Sequence, residues 1–253
     1  MSETIEVWGG DLAAARREGT LIAPLPAAVT ADDGAAYTVQ RAATRALAQP
    51  LGGWKIGATA AAAQQSMGRT SPFYGPMPAV DCHADGALVR LGPGARGVEI
   101  ELAFKLAKDL PKRPQAYTLA EVKAAVASIH PAIEVVAIRQ KVEGAPRSQA
   151  LIADFGGNGA FVHGPAIPGG PTLDLAAISA SCSVDGEEQG AGSAAAVMGD
   201  PWNALLWFAN EGPGMSAGMW ISSGTMTGLA PIAAGQEVVG DLAGLGAVRC
   251  RFS

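Results

Sequence analysis

The sequence predicts an α+β fold in which a small helical region leads into a larger, β-rich part. Helical signals dominate the first quarter of the chain. From Trp54 onward, short apolar runs are separated by glycine and proline, which is typical of strands joined by turns. Only two later segments interrupt this pattern with helical signals. Helices at one end and many strands after them favour an α+β arrangement over alternating βαβ units.

Four segments predict helices, and three of them begin with a recognisable cap. Thr30 or Asp33 could cap the second helix, Thr118 and Glu121 form a capping box, and Asp200 precedes a proline at the first helical position. The predicted helices are 11–18, 33–47, 118–129 and 201–210. The predicted strands are 54–57, 87–91, 98–106, 132–139, 159–163, 173–184, 219–222, 237–242 and 247–252. We therefore expect a small, mainly helical region at 1–75 and a β-rich catalytic domain at 76–253.

Composition excludes several classes of protein. Only 16% of the residues are charged, 49% are hydrophobic, and the net charge is −5, so neither disorder nor a nucleic-acid partner is expected. No apolar run reaches the roughly 18 residues that a membrane-spanning helix needs, and the acidic start of the chain does not resemble a secretory signal. Three widely spaced cysteines without a CxxC motif favour a reducing cytoplasm.

The segment Val98-Glu99-Ile100-Glu101-Leu102-Ala103-Phe104 is the most informative for function. On a strand, Glu99 and Glu101 share one face, while the large apolar residues between them share the face that packs on the core. The two carboxylates would lie roughly 6–7 Å apart. This pair could simply face solvent, or it could bind a hard divalent cation such as Mg²⁺ or Mn²⁺.

Glu134 lies inside the apolar run Pro131-Ala132-Ile133-Glu134-Val135-Val136, where a strand would be covered on both faces. A carboxylate buried there requires a partner. Convergence of three strand carboxylates on one cation would satisfy it, and so would an ion pair with Lys55 or Arg139. Both interpretations remain open from the sequence.

Lys55 and Asp154 are the other two candidates for chemistry. Lys55 lies between glycine and apolar residues in Gly53-Trp54-Lys55-Ile56-Gly57, so it is either a surface lysine on an edge strand or a half-buried proton carrier near a metal-bound anion. Asp154 precedes a glycine-rich stretch, where it could orient Lys55, bind water or cap a turn. No GxSxG motif or Walker loop is present, so nucleophile-based hydrolysis has no support.

Taken in order, these segments resemble the fumarylacetoacetate hydrolase superfamily, and more narrowly its branch of 2-keto-4-pentenoate hydratases and 4-oxalocrotonate decarboxylases. The motifs that carry the resemblance are Gly53-Trp54-Lys55-Ile56-Gly57, Pro72-Phe73-Tyr74-Gly75, Glu99-Ile100-Glu101, Pro131-Ala132-Ile133-Glu134-Val135-Val136, Ala153-Asp154, Met198-Gly199-Asp200-Pro201 with Asn203-Ala204, and Ile221-Ser222-Ser223-Gly224-Thr225. Each motif alone is weak, but their order and spacing are specific.

The resemblance implies a mixed β-sheet roll, like the C-terminal domain of fumarylacetoacetase, preceded by a small helical part. It implies that Glu99, Glu101 and Glu134 bind Mg²⁺ or Mn²⁺, and that Lys55 and Asp154 are catalytic. It further places Tyr74, Arg139, Ser223 and Thr225 among the substrate-binding residues.

The function that the resemblance implies is a cytoplasmic, metal-dependent hydratase, expected to form a homo-oligomer. It would add water to a short 2-hydroxydienoate, the enol form of a 2-keto-4-enoic acid, in the breakdown of aromatic compounds. The alternative is a decarboxylase or C–C hydrolase that acts on a 2-keto or 2,4-diketo acid at the same metal site. The expected partner is thus a small 2-keto acid, with no nucleic acid and no membrane.

Overall fold

The computed structural model describes residues 2–144 and 146–253, which contain six α-helices and fourteen β-strands. The helices are α1 (Ser2–Glu18), α2 (Asp33–Leu47), α3 (Ala61–Ser66), α4 (Leu119–Ala125), α5 (Ser148–Ala153) and α6 (Pro201–Glu211). The strands are β1 (Leu51–Gly57), β2 (Phe73–Pro78), β3 (Cys82–Ala84), β4 (Ala87–Val89), β5 (Ala95–Leu106), β6 (Leu110–Pro111), β7 (Val126–Ala137), β8 (Asn158–His163), β9 (Ser179–Val184), β10 (Glu187–Ser193), β11 (Gly214–Met215), β12 (Trp220–Ser222), β13 (Glu237–Asp241) and β14 (Ala247–Phe252).

A seven-stranded mixed sheet forms the centre of the molecule, with the strand order β2-β1-β12-β5-β7-β8-β3. Its two longest strands, β5 and β7, pair antiparallel along twelve residues each. The short strand β12 lies between β1 and β5, and it runs parallel to β1 and antiparallel to β5. The middle of this sheet thereby brings together four strands from separate parts of the sequence, namely β1, β12, β5 and β7.

A second, five-stranded sheet packs against one face of the first and has the order β10-β9-β13-β14-β4. Ile100, Leu102 and Phe104 on β5 are fully buried in the core that the two sheets share, as the alternation of the sequence predicts. At Gly240 the sheets approach so closely that an added Cβ would lie 2.7 Å from the Ile100 side chain. The apolar face of β5 is therefore held by the second sheet, which leaves the opposite face for its glutamates.

The helices α1 and α2 pack together beside the sheet and share a smaller core with α5 and the loop that follows it. Asp32, one residue from the expected position, caps α2 by accepting a hydrogen bond from the Ala35 N–H. The capping box of Thr118 and Glu121 and the Asp200 cap are confirmed. The order of helices and mixed sheets confirms the predicted α+β fold.

Several predicted elements are wrong in extent, among them the first helix, which is predicted at 11–18 and spans Ser2–Glu18. The helix expected at 118–129 ends at Ala125, because Val126 and Ile129 pair with Leu106 and Phe104 and so extend β7. Of the strand expected at 173–184, only Ser179–Val184 forms, after short 3₁₀ turns around Pro171 and Asp174. Sheet pairing thus decides both boundaries over local preference.

Five strands have no counterpart in the prediction: β2, β3, β6, β10 and β11. The strand β2 contains Pro76 and Pro78, which a strand tolerates because it lies at the sheet edge. The strand β10 contains no large apolar side chain and pairs only with β9 in the five-stranded sheet. Both β1 and the first half of β2 fall within 1–75 and yet pair into the main sheet. The proposed division at residue 75 stays a prediction.

Among the described residues, no helix combines the length and apolar character needed to cross a membrane.

Candidate active site

Three glutamates converge on the face of the central sheet that the second sheet does not cover. Glu99 on β5 lies directly opposite Glu134 on β7, and Glu101 follows two residues along β5. Glu101 and Glu134 are fully buried and Glu99 is half-buried. One carboxylate oxygen from each residue lies within 4.8 Å of the others. The alternative that this pair of glutamates simply faces solvent is therefore wrong.

Glu101 is held by the strand β12 and by the turn after it. Its Oε2 accepts hydrogen bonds from the Ser222 hydroxyl and from the Gly224 N–H, the latter at 2.8 Å. Its Oε1 is buried and has no hydrogen-bond partner. One oxygen is thus fixed by the chain, and the other is left for a ligand.

Glu134 is oriented from the neighbouring strand β8. The Asn158 side-chain amide donates a hydrogen bond of 3.2 Å to Oε1 of Glu134. Oε2 lies 3.2 Å from the Lys55 ammonium nitrogen, an ion pair without an aligned hydrogen bond. Glu134 therefore makes the ion pair with Lys55 that the sequence left open, and it also lies close enough to the two other glutamates to share a cation with them.

Lys55 enters the cluster from β1 and is only 4% exposed, so the surface-lysine alternative is wrong. Besides its ion pair, the ammonium group donates a hydrogen bond of 3.1 Å to the Gly156 carbonyl. It also lies 5.5 Å from the centre of the Phe73 ring. The chain thus positions this amine through one charged contact and two neutral ones.

The electrostatics of the cluster follow from three carboxylates that face one ammonium group. Burial raises the pKa of Glu99 to about 7, with Lys55 opposing the shift and Glu134 adding to it. Burial and the neighbouring carboxylates raise the pKa of Glu101 well above its usual value. Burial alone would lower the pKa of Lys55, but the attraction of the three glutamates outweighs it and raises that pKa. Lys55 is therefore an ammonium ion, whereas the raised pKa values of the glutamates favour proton uptake by the cluster when no cation neutralises it.

A divalent cation fits this cluster. Three carboxylate oxygens at this spacing are the hard donor set that Mg²⁺ and Mn²⁺ prefer. The unpartnered Oε1 of Glu101 is buried, and a cation would supply the partner it lacks. The fixed outer oxygens of Glu101 and Glu134 match the outer-sphere support typical of metal ligands.

Asp154 and Arg139 bind each other. The Arg139 guanidinium lies 2.6 Å from Oδ1 of Asp154, and the Arg139 N–H donates to Oδ2. Asp154 is fully buried and makes no hydrogen bond to Lys55. It precedes Phe155, Gly156 and Gly157, which all have positive φ and so turn the Gly156 carbonyl toward Lys55. Asp154 reaches Lys55 only through this loop, and Arg139 is occupied by Asp154 and the Asn158 carbonyl.

A cavity of about 70 Å³ lies beside Lys55 and Glu99. Of the four residues that the resemblance assigned to substrate binding, Thr225 lines this cavity. Ser223 is fully buried next to Gly224, and its hydroxyl has no hydrogen-bond partner. Tyr74 instead stacks on Tyr37 at 4.4 Å, on the other face of β2 from Phe73, which does line the cavity. The geometry does not support a direct substrate contact for Tyr74 or Arg139.

Sequence reasoning missed several residues of the site. Asn158, the Gly156 carbonyl and the buried, unpartnered Thr59 hydroxyl all contact the ligand cluster or line the cavity. Asn158 and Gly156 belong to the glycine-rich stretch that the sequence singled out after Asp154. Their contacts depend on strand register and on loop conformation, and neither can be recognised from a pattern of residue types in the sequence.

The fold and the cluster together define an α+β protein with a candidate divalent-cation centre inside a mixed sheet. The chain matches the family described as fumarylacetoacetate (FAA) hydrolase C-terminal over residues 39–253, and it belongs to that family. The resemblance found in the sequence is thereby confirmed.

Within this family, the chain is similar to named hydratases in sequence and to a decarboxylase in structure. The chain is 31% identical to 2-hydroxyhexa-2,4-dienoate hydratase of Comamonas testosteroni, over 98% of this chain and 97% of that one. It is 30% identical to 2-keto-4-pentenoate hydratase of Burkholderia vietnamiensis, over 94% of each chain. In structure it is similar to 4-oxalocrotonate decarboxylase from Pseudomonas putida G7, complexed with magnesium and adipate. That likeness has a TM-score of 0.87 and 25% identity, and it covers 100% of this chain and 98% of that one.

Proposed function

We propose that this protein is a divalent-metal-dependent hydratase that adds water to a short 2-hydroxy-2,4-dienoate. The observation that carries the proposal is the buried glutamate cluster with an unpartnered oxygen beside the Lys55 ammonium. Relatives along nearly the whole chain are named as hydratases of such acids, which supports the same reaction. The product would be a 4-hydroxy-2-keto acid.

In this proposal Glu99, Glu101 and Glu134 hold Mg²⁺ or Mn²⁺. The bound cation would supply Lewis-acid stabilisation of the negative charge that develops on the 2-oxygen and the carboxylate of the substrate. Ser222, Gly224 and Asn158 keep two of the ligands in place, so little reorganisation accompanies binding. The unpartnered hydroxyls of Thr59 and Ser223 are available to hydrogen-bond the polar end of the substrate, whereas the Thr225 hydroxyl is already paired with the Gly228 backbone.

Lys55 moves the proton in this proposal. Its raised pKa keeps it protonated at neutral pH, and it lines the cavity, from where it would donate a proton to the bound dienoate. Ketonisation transfers the proton of the 2-hydroxyl to C5 in net terms. Water then adds its hydroxyl at C4 and its hydrogen at C3, so the overall reaction consumes one water molecule. Asp154 contributes by fixing the loop whose Gly156 carbonyl orients the amine.

Metal removal and substitution test the proposal together. Chelation with EDTA should abolish hydration of 2-hydroxypenta-2,4-dienoate, and Mg²⁺ should restore it. Glu101→Gln should lower kcat at least about 100-fold. Lys55→Met should lower kcat by about 10²–10⁴-fold and leave metal binding intact, because it removes a positive charge. Glu188→Gln, an exposed residue on β10, is the matched control and should behave as wild type. Full activity after chelation, or in Glu101→Gln, would reject the hydratase proposal.

A second candidate is decarboxylation at the same centre, which the likeness to 4-oxalocrotonate decarboxylase favours. The products separate the two reactions. A hydratase yields a 4-hydroxy-2-keto acid without gas, whereas a decarboxylase releases CO₂ and a C–C hydrolase releases two carboxylic fragments. Product analysis by NMR on a panel of 2-keto acids therefore decides between them.

We further propose that the protein acts in the cytoplasm as a homo-oligomer. Cys82, Cys182 and Cys250 are all free thiols, which supports a reducing compartment. Trp54, Tyr74 and Trp207 form a half-buried aromatic cluster, a composition enriched at subunit interfaces. Sedimentation equilibrium would measure the number of subunits, and a strictly monomeric protein would contradict this part.

A further inference from the structure

The cavity beside the glutamate cluster has charged groups only at the end where the metal would bind. Among the described residues that line it, Lys55 and Glu99 are the charged ones. Its remaining large side chains are apolar: Ile56, Met67, Phe73, Val136 and Leu151. Lys55 is already opposed by three carboxylates, so its charge is not available to neutralise a second group on the substrate.

The cavity adjoins a wider groove, and this groove is also uncharged. Thr59 and Ala60 line both spaces, and the groove has a volume of about 750 Å³. Its large lining side chains are Met198, Trp207 and Gln64, and no described residue along it carries a charge. A substrate tail that extends away from the glutamates in this direction meets methyl and methylene groups, an indole ring, hydroxyls and one amide, all of which are neutral.

A second cation near the apolar wall, Arg69, is already neutralised. The Arg69 guanidinium lies 5.3 Å from the centre of the Phe73 ring, but it is not among the residues that line the cavity. Its two terminal nitrogens bind Asp33 at 3.1 and 2.7 Å, and its Nε donates to the Ser71 carbonyl. To bind a substrate carboxylate, Arg69 would have to break this paired contact.

From these observations we propose that the substrate has a single carboxylate and a neutral, apolar tail. It is then a 2-hydroxy-2,4-dienoate that is unsubstituted or carries an alkyl group at C5, and not a dienedioate. A second carboxylate would lose its hydration against Phe73, Met67 or Leu151 without gaining an ionic partner. This inference rests on the proposed function, since it specifies the substrate of the same site.

The experiment compares two substrates that differ only at the far end of the chain. One is 2-hydroxyhepta-2,4-dienoate, which ends in a methyl group, and the other is 2-hydroxyhepta-2,4-diene-1,7-dioate, which ends in a carboxylate. With the Mg²⁺-loaded protein we expect kcat/KM to favour the monoacid at least about 100-fold. Equal values, or a preference for the diacid, would overturn the inference and leave the hydratase proposal standing.

A binding measurement separates this inference from the reaction itself. Isothermal titration of the Mg²⁺-loaded protein with 2-oxohexanoate and with 2-oxoadipate compares the same two end groups without turnover. We expect 2-oxohexanoate to bind at least about tenfold more tightly. This preference without hydration of any dienoate would reject the proposed function and keep the inference. Failure of both ligands to bind would reject the two together.

Substitution at Met67 tests the cause of the preference. Met67 is half-buried at the end of α3, and its side chain lines the cavity. Met67→Arg adds the missing cation and should raise kcat/KM for the diacid relative to the monoacid at least about tenfold. Met67→Gln, similar in length but neutral, is the matched control and should leave the ratio near that of wild type. An equal change of the ratio in both variants would show that size, and not charge, sets the preference.

Discussion

At the scale of single residues, the main feature of the site is that the two carboxylate oxygens of Glu101 have different surroundings. Ser222 and Gly224 bind Oε2, whereas Oε1 is buried without a partner. Glu134 repeats the pattern, with Asn158 on one oxygen and Lys55 near the other. The outer contacts determine where the inner oxygens point, so they should affect cation affinity even though they touch no cation.

Asn158 provides a direct test at this scale. Asn158→Ala removes the amide that orients Glu134, and it leaves the backbone contacts of Arg16 and Arg139 with the residue-158 carbonyl. We expect the affinity for Mn²⁺ to fall by about 10–100-fold, measured by isothermal titration. Asn203→Ala changes an exposed asparagine that contacts only the Met198 carbonyl, and it should bind Mn²⁺ like wild type. An unchanged affinity in Asn158→Ala would show that Asn158 has no role in orienting Glu134.

At the scale of elements, the position of Lys55 depends on the close approach of β2 and the loop after α5. Gly75 on β2 faces this loop, and an added Cβ would lie 2.1 Å from the Phe155 carbonyl oxygen. The same loop presents the Gly156 carbonyl to Lys55. A side chain at residue 75 would therefore displace the contact that orients the amine.

Gly75→Ala tests this coupling between β2 and the loop. We expect the free energy of unfolding to fall by about 1–3 kcal/mol, and kcat to fall with it as the carbonyl moves. Urea unfolding and steady-state kinetics measure the two effects. Gly92→Ala is the matched control, because no atom lies within 4 Å of its added Cβ and the residue is exposed, so the expected change is below about 0.5 kcal/mol. Wild-type stability in Gly75→Ala would contradict the close approach.

The sequence was most predictive where local pattern and burial agree. Alternation along β5 identified its core face, and the apolar surroundings of Glu134 identified a carboxylate that needed partners. Sheet edges were less predictable, because β2 contains prolines and β10 contains no large apolar side chain, and pairing alone makes them strands. The partners of Asp154 and Glu134 depend on strand register and on three successive residues with positive φ. Neither of these has a signature in residue types.

At the scale of the whole molecule, a chain with only 16% charged residues places three carboxylates together in its interior. Their mutual repulsion and their loss of hydration destabilise the metal-free protein, since one lysine cannot balance them. A cation that binds only the folded state stabilises it by about 2.7 kcal/mol at a concentration 100 times its Kd.

Thermal unfolding measures how far a bound cation offsets the destabilisation that the three buried carboxylates cause. Saturating Mg²⁺ should raise the Tm of the wild-type protein by on the order of 5–10 °C, and EDTA should reverse the increase. In EDTA, Glu101→Gln should have a Tm at least equal to that of wild type, because it removes a carboxyl whose ionised form is disfavoured by burial and by the neighbouring glutamates, but Mg²⁺ should no longer raise it. A Glu101→Gln protein that Mg²⁺ stabilises as strongly as wild type would show that the cation binds elsewhere.

The insertion of β12 between β1 and β5 has a consequence for how the protein is made. Gly53 pairs with Trp220 across this junction, and Ser222 and Gly224 complete the contacts of Glu101. During synthesis from the N-terminus, the ribosome must pass residue 224 before the glutamate ligands can be positioned. Pairings between such distant segments form slowly, because a long loop must close first. The cation centre is therefore among the last features to mature, and a growing chain cannot use it as a nucleus for folding.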